Sequence, residues 1–397
     1  MKTYLCKNEQ AQGALVALDD MMLTASMPTT AGSKMLDGYM SLFGASVIGR
    51  LKEAGYDIAG KVNVGEFDID VLGETSAFGA AEKEDGTYTS ARSEAVLAGD
   101  IDALVGLDVS GAFRRGAALS GLFSMKPTYG TVSRFGTIPV ACSGETVSVM
   151  SKDAARLKAV LTAIKGHDDG DGTSFSEEIC LSSVTGGSEI KKVAIASSLF
   201  KAADAKEQLE AMKAFLQKAG ITAVEVDDSV LLAAQTAWNI CLCAELCNNV
   251  SRYDGVKFGY RTKEYSNIDE LYTGSRTEAF GELLKTAILF GSETLSTENY
   301  FPQYDKALRI RRVVVDRFNE IFKDFDAVLM PVCSRKAYTD ADFAADKYLA
   351  FEENKFTAPA SISGLPALVM GGLQFVAPAF ADGSLLKLAA DFEKEGM

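Results

Sequence analysis

The chain has 397 residues, of which 47% are hydrophobic, and it carries a formal charge of -14 with a pI near 4.8. This composition predicts a large protein with ample apolar material for a buried core. The acidic balance argues against direct nucleic-acid binding, because phosphate binding requires a basic face. The basic clusters at Arg114-Arg115 and at Arg309 to Arg312 leave only a local phosphate contact open.

Hydrophobic periodicity predicts alternating strands and helices, which is typical of α/β proteins. Strands are expected at residues 15–18, 192–196 and 327–330, and residues 56–61 lead into another. Helices are expected at residues 45–54, 203–219, 310–325 and 384–395. A further helix is expected at residues 151–165, with Ser151 as its N-cap and Gly166 as its terminator. The glycine-rich, serine-rich and acidic stretch from Gly166 to Ser188 is typical of a linker.

Cysteine usage indicates a reducing compartment. The seven cysteines are an odd number and lack the regular pairing of a secreted disulfide scaffold. Cys241, Cys243 and Cys247 fall within a predicted helix, where Cys243 and Cys247 share a face and Cys241 points elsewhere. We therefore expect small buried apolar side chains there and no metal site.

No targeting or membrane segment is expected. The first ten residues lack the apolar stretch of a secretion signal, and no run of 18 apolar residues occurs. The sequence therefore predicts a cytoplasmic protein that makes no membrane contact.

Several separated motifs carry a family resemblance. Two of them are Gly106-Leu107-Asp108-Val109-Ser110-Gly111-Ala112-Phe113-Arg114 and Met125-Lys126-Pro127-Thr128-Tyr129-Gly130. Others are Lys61-Val62-Asn63-Val64-Gly65-Glu66-Phe67, Glu74-Thr75-Ser76-Ala77-Phe78-Gly79, Tyr253-Asp254-Gly255 and Ser363-Gly364-Leu365-Pro366-Ala367. Together, and in this order, they resemble the amidase signature family, in particular the A subunit of glutamyl-tRNA(Gln)/aspartyl-tRNA(Asn) amidotransferase.

The resemblance implies an α/β amidase-signature fold, with a mixed central sheet covered by helices on both faces. It also implies one domain over residues 1–397, in which a flexible segment at about 166–188 joins two parts. The catalytic-lysine strand begins near residue 14, so we expect a domain that is shortened at its N-terminus relative to the family. Neither a cofactor nor a metal is expected.

The family's Ser-cisSer-Lys triad is replaced at every position. The motif register places Ala112 at the nucleophile, and Ala112 has no hydroxyl group to attack a carbonyl. Asp19 falls at the lysine position and cannot supply an amine, and Tyr88 falls at the bridging serine. We expect a pocket that no longer performs this chemistry.

Two residues are candidates for a replacement catalytic system. Ser110 stands two residues before the lost nucleophile, beside the backbone amides of the same loop. His167 is the one histidine of the chain and would have to serve any Ser-His-Asp system, but its Gly/Asp-rich surroundings favour an ordinary loop residue.

The resemblance also implies a candidate pocket. Its residues are Asp108, Ser110, Gly111, Arg114, Arg311 and Asn354. Within it, Arg311 matches the arginine that clamps the substrate carboxylate in the family. Asn354 falls on the acidic residue that receives the substrate amine, with Glu352 or Glu353 as alternative acids.

Two functions remain open from the sequence. The first is a catalytically inactive amidase-fold scaffold, regulator or ligand binder, with an amidotransferase subunit as its candidate partner and a small amide or amino acid as its candidate ligand. The alternative is an active glutamine amidohydrolase subunit of a tRNA-dependent amidotransferase that uses displaced catalytic groups.

Overall fold

One large mixed sheet organises the protein. A computed structural model describes residues 3–396, and within them eleven strands join in the order β1-β3-β2-β6-β8-β7-β12-β13-β11-β9-β10. A separate pair, β4 and β5, forms a short antiparallel ribbon. The strands are β1 Tyr4–Lys7, β2 Ala14–Asp19, β3 Tyr56–Val62, β4 Ala81–Glu82, β5 Tyr88–Thr89, β6 Ala103–Asp108, β7 Phe123–Lys126, β8 Thr146–Ser151, β9 Lys192–Ala196, β10 Thr222–Val226, β11 Ala327–Pro331, β12 Ala367–Met370 and β13 Leu373–Val376.

The sheet has two halves that contain parallel strand pairs, and antiparallel strands join these halves. Strand β2 pairs in parallel with β3 and β6, and β9 pairs in parallel with β10 and β11. Between these halves, β8, β7, β12 and β13 join by antiparallel pairing. Because β2 and β6 are parallel neighbours, Asp19 and Asp108 at their carboxyl ends reach the same edge of the sheet.

Helices connect most of these strands. They are α1 Ser46–Glu53, α2 Ala91–Ala98, α3 Ala112–Leu119, α4 Ala154–Ile164, α5 Glu177–Thr185, α6 Ser197–Lys201, α7 Lys206–Lys218, α8 Ala233–Asn249, α9 Ile268–Ala279, α10 Glu282–Thr294, α11 Lys306–Ile321, α12 Asp340–Ala345, α13 Leu349–Ser363 and α14 Asp382–Lys394.

The sheet has helices on both faces, as the sequence predicts. Alternate residues of one strand enter different apolar clusters: Val16 and Leu18 face the main core, whereas Ala17 faces a smaller core that also contains Phe113 of α3. This alternation is the two-residue period of a strand buried on both sides. The α/β fold expected from the motifs is therefore confirmed.

The linker-like stretch contains helix α5, which the sequence-based prediction leaves out. Helix α5 packs against α4 and α14. The buried Lys165 ammonium donates to Ser183 Oγ of α5 at 2.6 Å and to Asp382 Oδ1 of α14 at 2.9 Å. One buried cation thus attaches this segment to the rest of the protein.

The predicted N-cap at Ser151 is wrong. Ser151 is the last residue of β8, where it pairs with Phe123 of β7, and the cap of α4 is Asp153, whose side chain accepts from the Arg156 amide. Serine and aspartate both cap helices well. Because Ser151 is paired within the sheet, the helix begins after Asp153, which caps it. The predicted helix at residues 310–325 is observed at Lys306–Ile321, and the one at residues 203–219 at Lys206–Lys218.

The cysteine-bearing helix is α8. Cys241 and Cys243 are buried and Cys247 is half-buried, and all seven cysteines are free thiols. The helical stretch Ser229–Arg252 is the one part of residues 3–396 that is long and apolar enough to span a membrane. Helix α8, within this stretch, packs against α10, α11 and α13. Half of the most apolar 18 residues of the stretch are buried inside the protein.

Candidate active site and its relation to known proteins

The strand-loop-helix turn from β6 to α3 carries the nucleophile position. Ala112 opens α3 and is 1% exposed. Its predecessor, Gly111, has φ +96°, a conformation that favours glycine, and a Cβ at Gly111 would lie 2.4 Å from the Thr357 side chain. Position 112 therefore lies in a closely packed turn and presents a methyl group instead of a hydroxyl group.

Asp19 at the end of β2 faces this turn from the neighbouring strand. Its carboxylate is fully buried and accepts from the backbone amides of Leu107 at 2.9 Å and Met21 at 3.1 Å. Gly106 makes room for it, because a Cβ at Gly106 would lie 2.3 Å from Asp19 Oδ2. The strand ends thus hold a carboxylate where the resemblance places a lysine.

Arg92 of α2 neutralises that carboxylate. One guanidinium nitrogen lies 2.8 Å from Asp19 Oδ2, and the other lies 2.7 Å from Asp68 Oδ1. All three side chains are at most 3% exposed. We call Asp19, Arg92 and Asp68 the Asp-Arg-Asp cluster.

The Asp-Arg-Asp cluster contains two carboxyl groups but one cation. Burial raises the pKa of Asp68 to about 7, against the opposing effect of the Arg92 guanidinium, and the neighbouring carboxylates of Asp19 and Asp70 add to the rise. Burial raises the pKa of Asp19 as well, again opposed by Arg92. One guanidinium cannot neutralise two buried anions, so we infer that the cluster retains a proton near neutral pH.

Tyr88 points away from this cluster. It lies in β5, and its hydroxyl donates to Asp340 Oδ1 at 2.7 Å. Its ring meets the edge of Phe343 with centroids 5.1 Å apart. Tyr88 thus joins the short ribbon to α12. Its hydroxyl group makes no hydrogen-bonded connection between positions 19 and 112.

Ser110 is held in place at both its side chain and its backbone. Its hydroxyl donates to the carbonyl oxygen of Asp68 at 3.0 Å, and the residue has no exposed surface. Its own carbonyl oxygen accepts from Thr357 Oγ1 at 2.8 Å and from the Arg115 guanidinium at 3.2 Å. These contacts fix Ser110 as part of the packed turn.

Asp108 and Arg114 form a second buried ion pair, with 2.7 Å between Arg114 Nε and Asp108 Oδ2. The guanidinium also donates to Gln374 Oε1 at 3.0 Å, Ser361 Oγ at 2.7 Å and the Thr357 carbonyl oxygen at 3.2 Å. With the second bond to Asp108 at 3.3 Å, all five N–H donors of Arg114 are used. The arginine therefore ties α3 to α13 and β13.

Arg311 and Asn354 lie on different helices. Arg311, in the middle of α11, donates to the Ser143 carbonyl oxygen at 3.3 Å. Asn354 is buried in α13, with its amide atoms 2.8 Å from Asn239 Oδ1 and 2.9 Å from the Ser110 carbonyl oxygen. Asn354 thus contacts the candidate loop directly.

The two alternative acids beside Asn354 face elsewhere. Glu352 is exposed and accepts from Gln235 Nε2 at 3.1 Å. Glu353 is buried and accepts from the Ser334 amide at 2.9 Å.

His167 lies in the loop between α4 and α5, where its ring nitrogens are 2.9 Å from the Phe175 carbonyl oxygen and 3.1 Å from Asp169 Oδ1.

Comparison with known proteins identifies the family of this chain. The family model "Amidase" matches residues 7–386. The chain belongs to the amidase family. The A subunit of glutamyl-tRNA(Gln) amidotransferase from Maridesulfovibrio salexigens is 33% identical over 96% of this chain and 83% of that protein. The corresponding protein of Latilactobacillus sakei is 33% identical over 96% of this chain and 82% of that protein.

A solved structure gives the same result for the fold. The crystal structure of the glutamyl-tRNA(Gln) amidotransferase A subunit from Thermotoga maritima superposes with a TM-score of 0.81 at 27% identity. The match covers 99% of this chain and 87% of that one. The described sheet and helices are therefore those of an amidase.

The sequence analysis singled out Asp19 and Ala112 but missed their neighbours Arg92, Asp68 and Thr357. One signal was available for Arg92: it stands four residues after Tyr88, the bridging-serine position, so a cation accompanies the carboxylate at position 19. Asp68 directly follows the Glu66-Phe67 motif but carried no signal of its own, because 41 residues separate it from its partner in the turn, Val109.

We predict that Arg92→Met destabilises the fold by roughly 3–5 kcal/mol at pH 7, because it leaves two buried carboxyl groups without their counter-charge. Urea unfolding followed by circular dichroism measures the change. Arg156→Met is the matched control, since Arg156 pairs with Asp102 and Asp153 while 51% exposed, and we expect less than about 1 kcal/mol from it. Equal losses in the two variants would contradict a stabilising role for the cluster.

The pH dependence of stability gives a second prediction. Because the folded pKa of Asp68 lies near 7, above the ordinary value of 3.8, folding favours its protonated form. That contribution is present at low pH and is lost as the pH rises through 7, by up to about 4 kcal/mol between pH 4 and pH 8.

Asp68→Asn should therefore flatten the fall in unfolding free energy between pH 5 and pH 8, as measured by urea titration at each pH. Asparagine tolerates the left-handed backbone of residue 68, where φ is +55°. The control Asp391→Asn changes an exposed carboxylate of α14 and should keep the wild-type slope. A wild-type stability that rises over this range would contradict the assignment.

Proposed function

We propose that this amidase-family protein performs no amide hydrolysis and acts as a scaffold, regulator or ligand binder. The observation that carries the proposal is the buried Asp-Arg-Asp cluster at the end of β2, beside a nucleophile position occupied by Ala112. The similarity to amidotransferase subunits by itself supports a family role, so the proposed loss of chemistry rests on this site.

Two chemical roles, the nucleophile and the base, lack a group to perform them. Ala112 cannot form an acyl intermediate. Asp19, held by Arg92 and two backbone amides, supplies no amine base. The Arg92 guanidinium remains protonated in proteins and cannot accept a proton from a nucleophile.

The alternative function, an active amidohydrolase with displaced groups, would require Ser110 to be freed. Its hydroxyl would have to release the Asp68 carbonyl oxygen, and the loop would have to open by moving Thr357 off Gly111. A nucleophile must also lie within hydrogen-bonding distance of its base, and Ser110 Oγ donates to a backbone carbonyl instead. These contacts favour the inactive protein.

We further propose that the chain keeps the protein-binding role of an amidotransferase subunit, in the cytoplasm, without contacting nucleic acid or a membrane. The curated relatives are A subunits of such enzymes and align with nearly the whole chain, which supports this partner. The chain would act as one domain, supported by the continuous eleven-stranded sheet within residues 3–396. A small amide or amino acid is the proposed ligand class, with Arg311 and Asn354 as the candidate contacts.

The purified chain should release no ammonia from glutamine or asparagine above a heat-denatured control, alone or with the B subunit of the amidotransferase. Loss of a complete catalytic triad typically forfeits several orders of magnitude in rate. Coupled glutamate dehydrogenase detection of ammonia makes the measurement. Ammonia release that disappears in Ser110→Ala would refute the proposal and identify the nucleophile.

Restoring the three triad residues should recover little activity. The triple variant Asp19→Lys, Tyr88→Ser and Ala112→Ser places an ammonium against the Arg92 guanidinium, and position 88 still faces Asp340. Catalytic geometry tolerates only about half an ångström, so we expect turnover roughly a thousandfold or more below that of an intact amidotransferase A subunit. Adding Arg92→Ser tests whether the retained cation alone prevents recovery, and turnover near that of the intact enzyme in either variant would contradict the prediction.

A further inference from the structure

An exposed apolar loop lies between the short helical turn at Lys34–Leu36 and α1. In this loop Met40 is 47% exposed, Leu42 97% and Phe43 48%. An apolar side chain as exposed as Leu42 makes almost no contact with its own protein. Contiguous exposed apolar surface of this kind is typical of an interaction site.

The loop borders a groove of about 300 Å³, which we call the aromatic groove. Its lining includes Tyr39, Phe43, Phe135, Tyr253, Phe258 and Arg252. Phe135 and Phe258 are themselves 42% and 38% exposed. Three separate chain segments, at residues 36–43, 135–139 and 252–258, thus bring aromatic rings to one surface.

Ring contacts hold the aromatic groove in shape. Phe43 stacks on Phe135 with centroids 5.4 Å apart, and Tyr39 meets Phe258 at 5.6 Å. The buried ring of Tyr253 contacts the ring of Phe258 edge to face, with centroids 5.9 Å apart. Rings fixed by one another lose little conformational freedom on binding, which favours tight association.

The two chain segments that border this groove have a net charge opposite in sign to that of the whole chain. Residues 34–44 and 252–261 carry four cations, Lys34, Arg252, Lys257 and Arg261, against two acids, Asp37 and Asp254. The whole chain carries 40 basic and 54 acidic residues. The Arg261 guanidinium donates to the carbonyl oxygens of Gly255 and Val256, which fixes the turn that bears Lys257 and Phe258.

We propose that the aromatic groove and the Met40–Phe43 loop dock an acidic segment of a partner protein, in which aliphatic or aromatic side chains alternate with Asp or Glu. The apolar side chains of the partner fill the groove beside Phe258 and cover Leu42 on the adjoining loop, while its carboxylates pair with Arg252 and Lys257. Contact between two copies through the same surface would bring these cations together, so charge favours a different, acidic partner. This inference rests on the proposed binding role and assigns it a surface.

The test uses the 397-residue chain and the purified B subunit of the amidotransferase from the same organism, with a further subunit of that enzyme tested separately as a second arm. Isothermal titration calorimetry gives the Kd for the wild type, for Leu42→Asp, and for the double variant Arg252→Glu, Lys257→Glu. The matched control is Leu289→Asp on α10, where Leu289 is 72% exposed. Because these side chains are exposed, circular dichroism should show wild-type folding in every variant.

We expect Kd to rise at least about tenfold in Leu42→Asp and in the double charge variant, and to stay within about threefold in Leu289→Asp. Binding should also weaken as the salt concentration rises, because part of the contact is electrostatic. If all variants bind as tightly as the wild type, the docking surface is refuted and the binding role stands. If the wild type binds neither protein, both the partner role and this surface fail. Wild-type self-association that Leu42→Asp abolishes would identify a second copy as the occupant and overturn the acidic-partner assignment.

Discussion

The Arg114 guanidinium is the interaction on which the architecture around the site depends. Its five donors reach the end of β6 through Asp108, helix α13 through Thr357 and Ser361, and β13 through Gln374. These partners belong to β6, α13 and β13, and Gln374 stands 260 residues from Arg114 in the chain. A buried arginine with all donors satisfied specifies relative position strongly, because any displacement leaves a charged group unpaired. The turn between β6 and α3 is rigid for this reason.

On that rigid frame, two of the residues at the family's catalytic positions are Asp19, which forms a buried ion pair, and Ala112. In the amidase family the turn presents a nucleophile to a lysine, whereas here Arg92 links Asp19 to Asp68 beside an alanine. The contacts of Arg114 and the residue type at position 112 can vary independently because they involve different atoms of the same turn. Arg114 binds Asp108, Ser361, Gln374 and the Thr357 carbonyl oxygen, and none of these contacts involves the side chain of residue 112.

Local sequence signals predicted much of the fold and less of the site. Strand β9 was predicted with its observed bounds, Lys192–Ala196, because a short apolar run stands between polar stretches. Ser151 was misassigned because β8 extends to the residue that a local cap rule would choose. The family motifs located Asp19 and Ala112, whose register is fixed by matching neighbours. Arg92 was not found because its pairing with Asp19 spans 73 residues, and no periodicity or spacing rule reports on such a contact.

The shared guanidinium also constrains the evolutionary history open to this protein. A lineage that regained the lysine at position 19 first would bring two buried cations together, and one that lost Arg92 first would leave two buried acids unpaired. Either single change gives a destabilised intermediate, so residues 19 and 92 are expected to change together, in whichever direction the change runs.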